Sequence, residues 1–252
     1  MRRRRGGGRN LRRCGLSDSP YGHLTTGVLD VERTSRSFRP ASSLTEQIAH
    51  HIAEAIIRGR MAPQERIREL RVAKELGVSR GSVREALLLL ERRHLVDIVP
   101  RKGAVVSELS RRQHDDLYDL LQTLYTRIAA RLAELWDEDD LPTFAVHVEA
   151  IERAAAKDDV DGFADGAEGF LFAALGMVRN QYLGAVVDTL LPVSRRALHR
   201  LRELDEDALE TGAEHWRALL DAIAAQEHAA VERVLQGLFA AWREGLTRAL
   251  SH

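Results

Sequence analysis

Only Gly77 and Val78 separate one helical pattern from the cap of the next, and that brevity constrains the fold more than any other feature of the chain. From Glu69 to Leu76, Val72, Ala73 and Leu76 share one face, and Gly77 supplies the left-handed residue that ends a helix. Ser79 then caps a helix whose buried stripe is Val83, Ala86, Leu87 and Leu90, at i, i+3, i+4 and i+7. Helices joined by so short a link cross sharply, as in a helix-turn-helix.

The flanking segments extend this unit. Ser43 and Glu46 have the spacing of a capping box, Ile48, Ile52 and Ile56 recur at i+4, and Gly59 and Pro63 stop that first helix. Downstream, Leu95 to Val99 reads as a strand, Pro100 to Gly103 as a turn and Ala104 to Ser107 as a returning strand, which adds a wing. Opposite the apolar stripe of the third helix, Arg80 and Arg84 lie one turn apart and point the same way. A helix end of this kind enters the major groove, where an Arg binds guanine O6 and N7 in a bidentate manner. Ser79 and Ser82 at the helix N-terminus suit phosphates. Arg101 and Lys102 at the wing tip suit backbone or minor groove, with Gly103 permitting close approach. Any one of these pieces is common on a solvated surface; their order within about 65 residues is what points to nucleic acid.

The segment from Leu76 to Leu87, LGVSRGSVREAL, resembles the LGVSRTPVREAL of the winged helix-turn-helix in GntR-family bacterial transcription regulators, and the likeness extends over residues 44 to 107. It implies DNA contacts for Ser79, Arg80, Ser82 and Arg84, for the wing tip from Arg101 to Gly103, and less directly for Arg68 and Arg71. Gly81 and Ser82 stand where the family usually has Thr and Pro, and Gln64 where it has Gly. Loss of a side chain at Gly81 means that base preference does not carry over from relatives.

Charge divides the chain in the same way. Residues 1–40 carry ten Arg and three acids, residues 41–112 fourteen Lys or Arg and nine acids, and residues 113–252 thirteen and twenty-six. A basic front and an acidic back predict a nucleic-acid module followed by one with another task. The expected division is a disordered basic arm at 1–40, a winged helix-turn-helix at 41–109, and an all-helical effector-binding and dimerisation domain at 110–252. The arm has no apolar periodicity, and no apolar stretch follows its arginines, which argues against a signal peptide. It reads either as extra phosphate contacts, as a dispensable tail, or as the product of a start codon placed too far upstream. The single Cys14 excludes an internal disulfide, and no run nears the roughly 18 apolar residues of a membrane span. A soluble cytoplasmic protein is therefore expected.

From Ser110 onward the pattern is helical throughout, with starts at Ser110, Asp140, Asp159, about Tyr182, Asp207 and Glu227. The fold class expected is mainly α: a winged helix-turn-helix with a small hairpin, then an antiparallel bundle of about six helices. Length and helix order resemble the C-terminal domain of the FadR branch of the same family. That resemblance implies a homodimer that grips or releases DNA when a metabolite binds among the helices.

Many members of that branch hold a divalent metal in the bundle through an Asp and a His four residues apart and two later His. Here the aligned positions are Ala167, Leu171, Trp216 and Leu238, none of which coordinates an ion through its side chain. His215 lies one position from the register, but one His is not a site. An Arg that often faces the pocket falls at Gln122. No metal or other cofactor is expected, and Gln122, Ala167, Leu171, Trp216 and Leu238 mark a pocket for a neutral or hydrophobic effector. A filled core that binds nothing would use the same residues.

An enzyme is not expected, since the chain has no GxSxG, phosphate loop or HExxH. The acidic runs at Asp137–Asp140 and Asp205–Asp207 flank helix starts, where they favour the dipole. The expected function is a sequence-specific, metabolite-responsive repressor binding a palindromic operator on double-stranded DNA. The alternative is an architectural DNA-binding protein with no effector.

Overall fold

The computed structural model describes residues 43–249, with side chains to Thr247; the expectations about the basic arm, residues 1–40, lie outside the described residues. Helix α1 (Leu44–Ile57) is closed at its start by a reciprocal capping box: the Glu46 N–H donates to Ser43 Oγ at 3.2 Å and the Ser43 N–H to Glu46 Oε2 at 2.8 Å. Helix α2 (Glu69–Leu76) ends at Gly77, whose φ of 67° is the left-handed stop. Ser79 Oγ accepts from the Ser82 N–H at 3.0 Å and starts α3 (Arg80–Arg92). Ile48, Ile52 and Ile56 of α1 and Val83, Ala86, Leu87 and Leu90 of α3 are all buried in one core.

Strands β1 (Val96–Val99) and β2 (Gly103–Val106) form an antiparallel hairpin in which Val96 pairs with Val106 and Val99 with Gly103. The connection between α1 and α2 joins this sheet, which the sequence did not disclose. The Gln64 N–H donates to the Val106 carbonyl, the Val106 N–H to that of Glu65 and the Ile67 N–H to that of Ala104, each at 2.9 Å. Gln64-Glu65-Arg66 has no strand propensity of its own, so the pairing comes from tertiary contact.

Among the described residues six further helices make the C-terminal bundle: α4 (Arg111–Leu135), α5 (Leu141–Ala155), α6 (Val160–Val178), α7 (Gln181–Leu204), α8 (Ala208–Ala224) and α9 (His228–Ala249). A single 3₁₀ turn at Glu138–Asp140, capped by Asp137, links α4 to α5. Ser110, Asp159 and Asn180 each accept backbone N–H groups at the starts of α4, α6 and α7. Aromatic rings run across the bundle core, with centroid separations of 5.4 Å for Trp136–Phe144, 4.9 Å for Phe144–Phe170, 5.1 Å for Phe170–Trp216 and 5.8 Å for Tyr125–Phe239. Helices α5 and α6 meet closely because of Gly166: a Cβ there would lie 2.7 Å from Ile151 Cγ1.

Among the described residues no helix is long and apolar enough to cross a membrane.

Candidate nucleic-acid interface and bundle cavity

The two-residue link places the N-terminus of α3 beside the start of α2, and an ion pair fixes the arrangement. Arg80 Nε donates to Glu69 Oε2 at 2.7 Å, while the Arg80 side chain keeps 71% of its exposure. One edge of the guanidinium is thereby oriented, and the Nη donors stay open to solvent or ligand. Arg84 is exposed one turn further on. The Ser79 and Ser82 hydroxyl oxygens lie 2.9 Å apart, so Ser79 serves first as the cap of the helix. Arg68 is exposed at the start of α2. Arg71 is exposed too, and it pairs with Glu75 at 2.8 Å across one helical turn in the free protein.

At the wing tip the Lys102 N–H closes the turn onto the Val99 carbonyl at 3.1 Å, and Arg101 sits at φ +66°. Glycine is the usual residue in that conformation, so an Arg there exposes a charge at a backbone cost. Gly103 has φ +85°, a conformational reason for glycine beyond close approach to a ligand. A Cβ at Gly103 would be 3.9 Å from Arg66 Nη2, which identifies Arg66 as a further cation beside the wing. The sequence reading missed it. The sequence carries no local signal for it, because the pairing of its segment with β2 brings Arg66 there.

In the bundle, a cavity of about 50 Å³ lies among α4, α6, α7, α8 and α9. Ala167, Leu171 and Trp216, three of the expected pocket residues, line it together with Tyr118, Tyr125 and Trp242. The other two do not. Gln122 turns its Oε1 to Arg243 Nη1 at 3.2 Å, and Leu238 is fully buried outside the lining. A straight alignment to metal ligands could not distinguish wall from core.

The cavity's charged groups, Arg195 and Glu168, pair with each other. Arg195 donates to Glu168 Oε1 at 2.9 Å and to Asp165 Oδ1 at 2.5 Å. Burial works to lower its pKa, but these two carboxylates outweigh burial and raise it, so the guanidinium stays charged. By contrast, the Tyr118 hydroxyl and the indole N–H groups of Trp216 and Trp242 are buried without a hydrogen-bond partner. Burial pushes the Tyr118 pKa well up and keeps its proton in place.

The positions aligned with metal ligands do not fit an ion, because Ala, Leu and Trp carry no suitable donor. His215 Nδ1 lies 2.7 Å from the Thr211 carbonyl, and His199 Nε2 lies 3.0 Å from Asp161. No group of three or more His, Cys, Asp or Glu gathers for a metal among the described residues.

The bundle is tied to the hairpin through α7. Arg196, next to the cavity residue Arg195, is buried and donates to Ser107 Oγ at 2.9 Å; Ser107 in turn donates to the His94 carbonyl at 2.8 Å. Arg58, at the end of α1, pairs with Asp161 of α6 at 3.1 Å.

Comparisons with known proteins agree with this anatomy. Residues 44–106 match the model of the bacterial regulatory proteins of the gntR family, and residues 116–241 that of the FCD domain. An HTH-type transcriptional regulator from the TAR-I ttuE-ttuC' intergenic region of Agrobacterium vitis is 32% identical over 128 residues, 48% of this chain and 72% of that protein. The HTH-type regulator YdhC of Bacillus subtilis is 31% identical over 108 residues, 43% of this chain and 48% of that one, so the chain spans about half of that relative's length. The solved structure of E. coli McbR/YncC shares the fold, with a TM-score of 0.66 at 24% identity over 80% of this chain and 95% of that one. The chain belongs to the GntR family and is a transcriptional regulator with a C-terminal FCD domain.

Proposed function

We propose that this regulator is a homodimeric, sequence-specific repressor that binds a palindromic operator and responds to a small, neutral or hydrophobic effector. Residues 41–109 bind DNA, and residues 110–252 dimerise and bind the effector in the manner of the FadR branch. The observation that carries the reading is the exposed face of α3, where Arg80 and Arg84 stand one turn apart beside a hairpin bearing Arg101 and Lys102. Arg80 and Arg84 read base edges, Ser79 and Ser82 meet phosphate, and the wing tip from Arg101 to Gly103 adds backbone or minor-groove contact. Arg68 and Arg71 contribute phosphate contacts, and Arg66 joins them. Occupying a promoter in this way excludes polymerase, which makes repression the direct consequence of binding.

The contact from Arg196 to Ser107 supports an effector response, since a shift of α7 at the cavity reaches the hairpin through one buried hydrogen bond. The reading is tested by mobility shift on promoter duplexes and on random duplexes of equal length. Promoter binding at least tenfold tighter is expected. Equal affinity for all duplexes would instead identify an architectural DNA-binding protein.

A further inference from the structure

The regulator reading leaves open the chemistry of the molecule that the bundle admits, and the cavity wall itself constrains it. The wall is apolar apart from the Glu168–Arg195 pair and Ser194, and it includes Tyr118, Trp216 and Trp242. Tyr118 and Trp216 are 2% and 1% exposed, and the Tyr118 hydroxyl and both indole N–H groups lack a hydrogen-bond partner. Buried polar groups are ordinarily partnered, so three orphans on residues of one cavity wall favour a partner from outside the chain. An indole N–H only donates, and the Tyr118 phenol, held protonated by burial, has a proton to give. The missing partner is therefore an acceptor.

Charge narrows the class further. Arg195 is the cation in the wall, and Glu168 in the wall and Asp165 outside it already engage it, so an entering carboxylate would meet the Glu168 carboxylate beside a cation that is already paired. The Gln122 side chain, at the position where the family often has Arg, is turned to Arg243 instead.

Resting on the effector-responsive reading, we infer that the cavity binds a neutral, largely apolar molecule carrying a carbonyl-type acceptor, which takes hydrogen bonds from Tyr118, Trp216 and Trp242, and that it discriminates against carboxylates. About 50 Å³ admits only the end of such a molecule, so a ring enters by moving a wall. Helix α7 is the wall with an interrupted backbone ladder. It contributes Leu191, Ser194, Arg195 and Leu198 to the lining, and Pro192 interrupts its hydrogen-bond ladder beside them.

The test uses the intact chain and the indole N–H resonances of its three tryptophans, assigned by single Trp→Phe variants. Cyclohexanone and cyclohexanecarboxylate, titrated at equal concentrations, serve as probes of equal ring size. Cyclohexanone is expected to move the Trp216 and Trp242 signals downfield and to leave that of Trp136, outside the cavity lining, in place. Cyclohexanecarboxylate is expected to bind at least tenfold more weakly. Tyr118→Phe should weaken cyclohexanone severalfold while the indole spectrum of the free protein keeps its dispersion.

Equal or stronger binding of the carboxylate would overturn the inference, as would cyclohexanone leaving the Trp216 and Trp242 signals unmoved. Operator binding is scored separately. Specific DNA binding with no response to cyclohexanone sinks only the ligand assignment, whereas a cyclohexanone response without specific DNA binding sinks only the regulator reading.

Discussion

The hydrogen bond from Arg196 to Ser107 predicts an asymmetry between removing its donor and removing its acceptor. Arg196 is 7% exposed, and burial lowers the pKa of its guanidinium, with Asp97 opposing that shift. Ser107→Ala removes a charge-assisted bond and the neutral bond to the His94 carbonyl, and it leaves the guanidinium buried. At roughly 1.5–3 kcal/mol for a bond to a charged group and about 1 kcal/mol for a neutral one, the cost is roughly 2.5–4 kcal/mol. For a chain of this size that lowers the melting temperature by roughly 5–15 °C.

Arg196→Met keeps most of the side-chain volume and abolishes the desolvated charge, so stability should stay within about 1 kcal/mol of the parent. In the double variant the loss caused by Ser107→Ala should shrink by at least about 1 kcal/mol, because no buried cation is left without its acceptor. Denaturant melts of the four proteins give all these values. If Arg196→Met proves as damaging as Ser107→Ala, or the two losses simply add, the buried charge is not the source of the cost.

Arg80→Ala should weaken operator binding by roughly 1–3 kcal/mol and relax base preference, whereas Lys102→Ala should weaken all duplexes alike and flatten the salt dependence, both read by titration at several salt concentrations. His114 is buried, with Nδ1 3.1 Å from the Ser110 carbonyl. Burial first, then Arg196 and Arg200, depress its pKa below 6.5. Its neutral form therefore contributes fully above pH 6.5, and stability falls as pH drops from there towards the depressed folded value. His114→Gln should remove that part of the acid sensitivity, and parallel melting curves for both proteins between pH 7 and 5 would count against the assignment. Chelator should change neither melting temperature nor DNA affinity, because the aligned ligand positions carry no donors; a fall in melting temperature with about one metal per chain would refute this.

Local chemistry made the front of the molecule legible. Ser43, Gly77 and Ser79 act through their own side chains or φ angles, and each ends or starts a helix where the sequence places it. The pairing of residues 64–67 with β2 was not legible, since it depends on a partner 40 residues away and on no local preference. The cavity lies between these extremes. Ala167, Leu171 and Trp216 were named from alignment and reach the wall, but Gln122 and Leu238 sit on helices whose rotation about the bundle axis no linear spacing fixes. Tyr118 and Trp242 escaped for a related reason: at helical spacing an aromatic residue reads as core, and only the three-dimensional hydrogen-bond inventory shows that its polar atom is unpaired. Arg196 reads on paper as one of many surface arginines, and its burial and its bond to Ser107 arise only from tertiary packing.

The central claim, that α3 and the wing read a specific sequence as a symmetric pair, is tested most directly by selecting bound duplexes from a fully random DNA pool with the intact protein. The account predicts one enriched palindrome with half-sites spaced by about one helical turn or less. A pool that gains affinity without any shared motif, or a single unsymmetrical site bound by one chain, would contradict it.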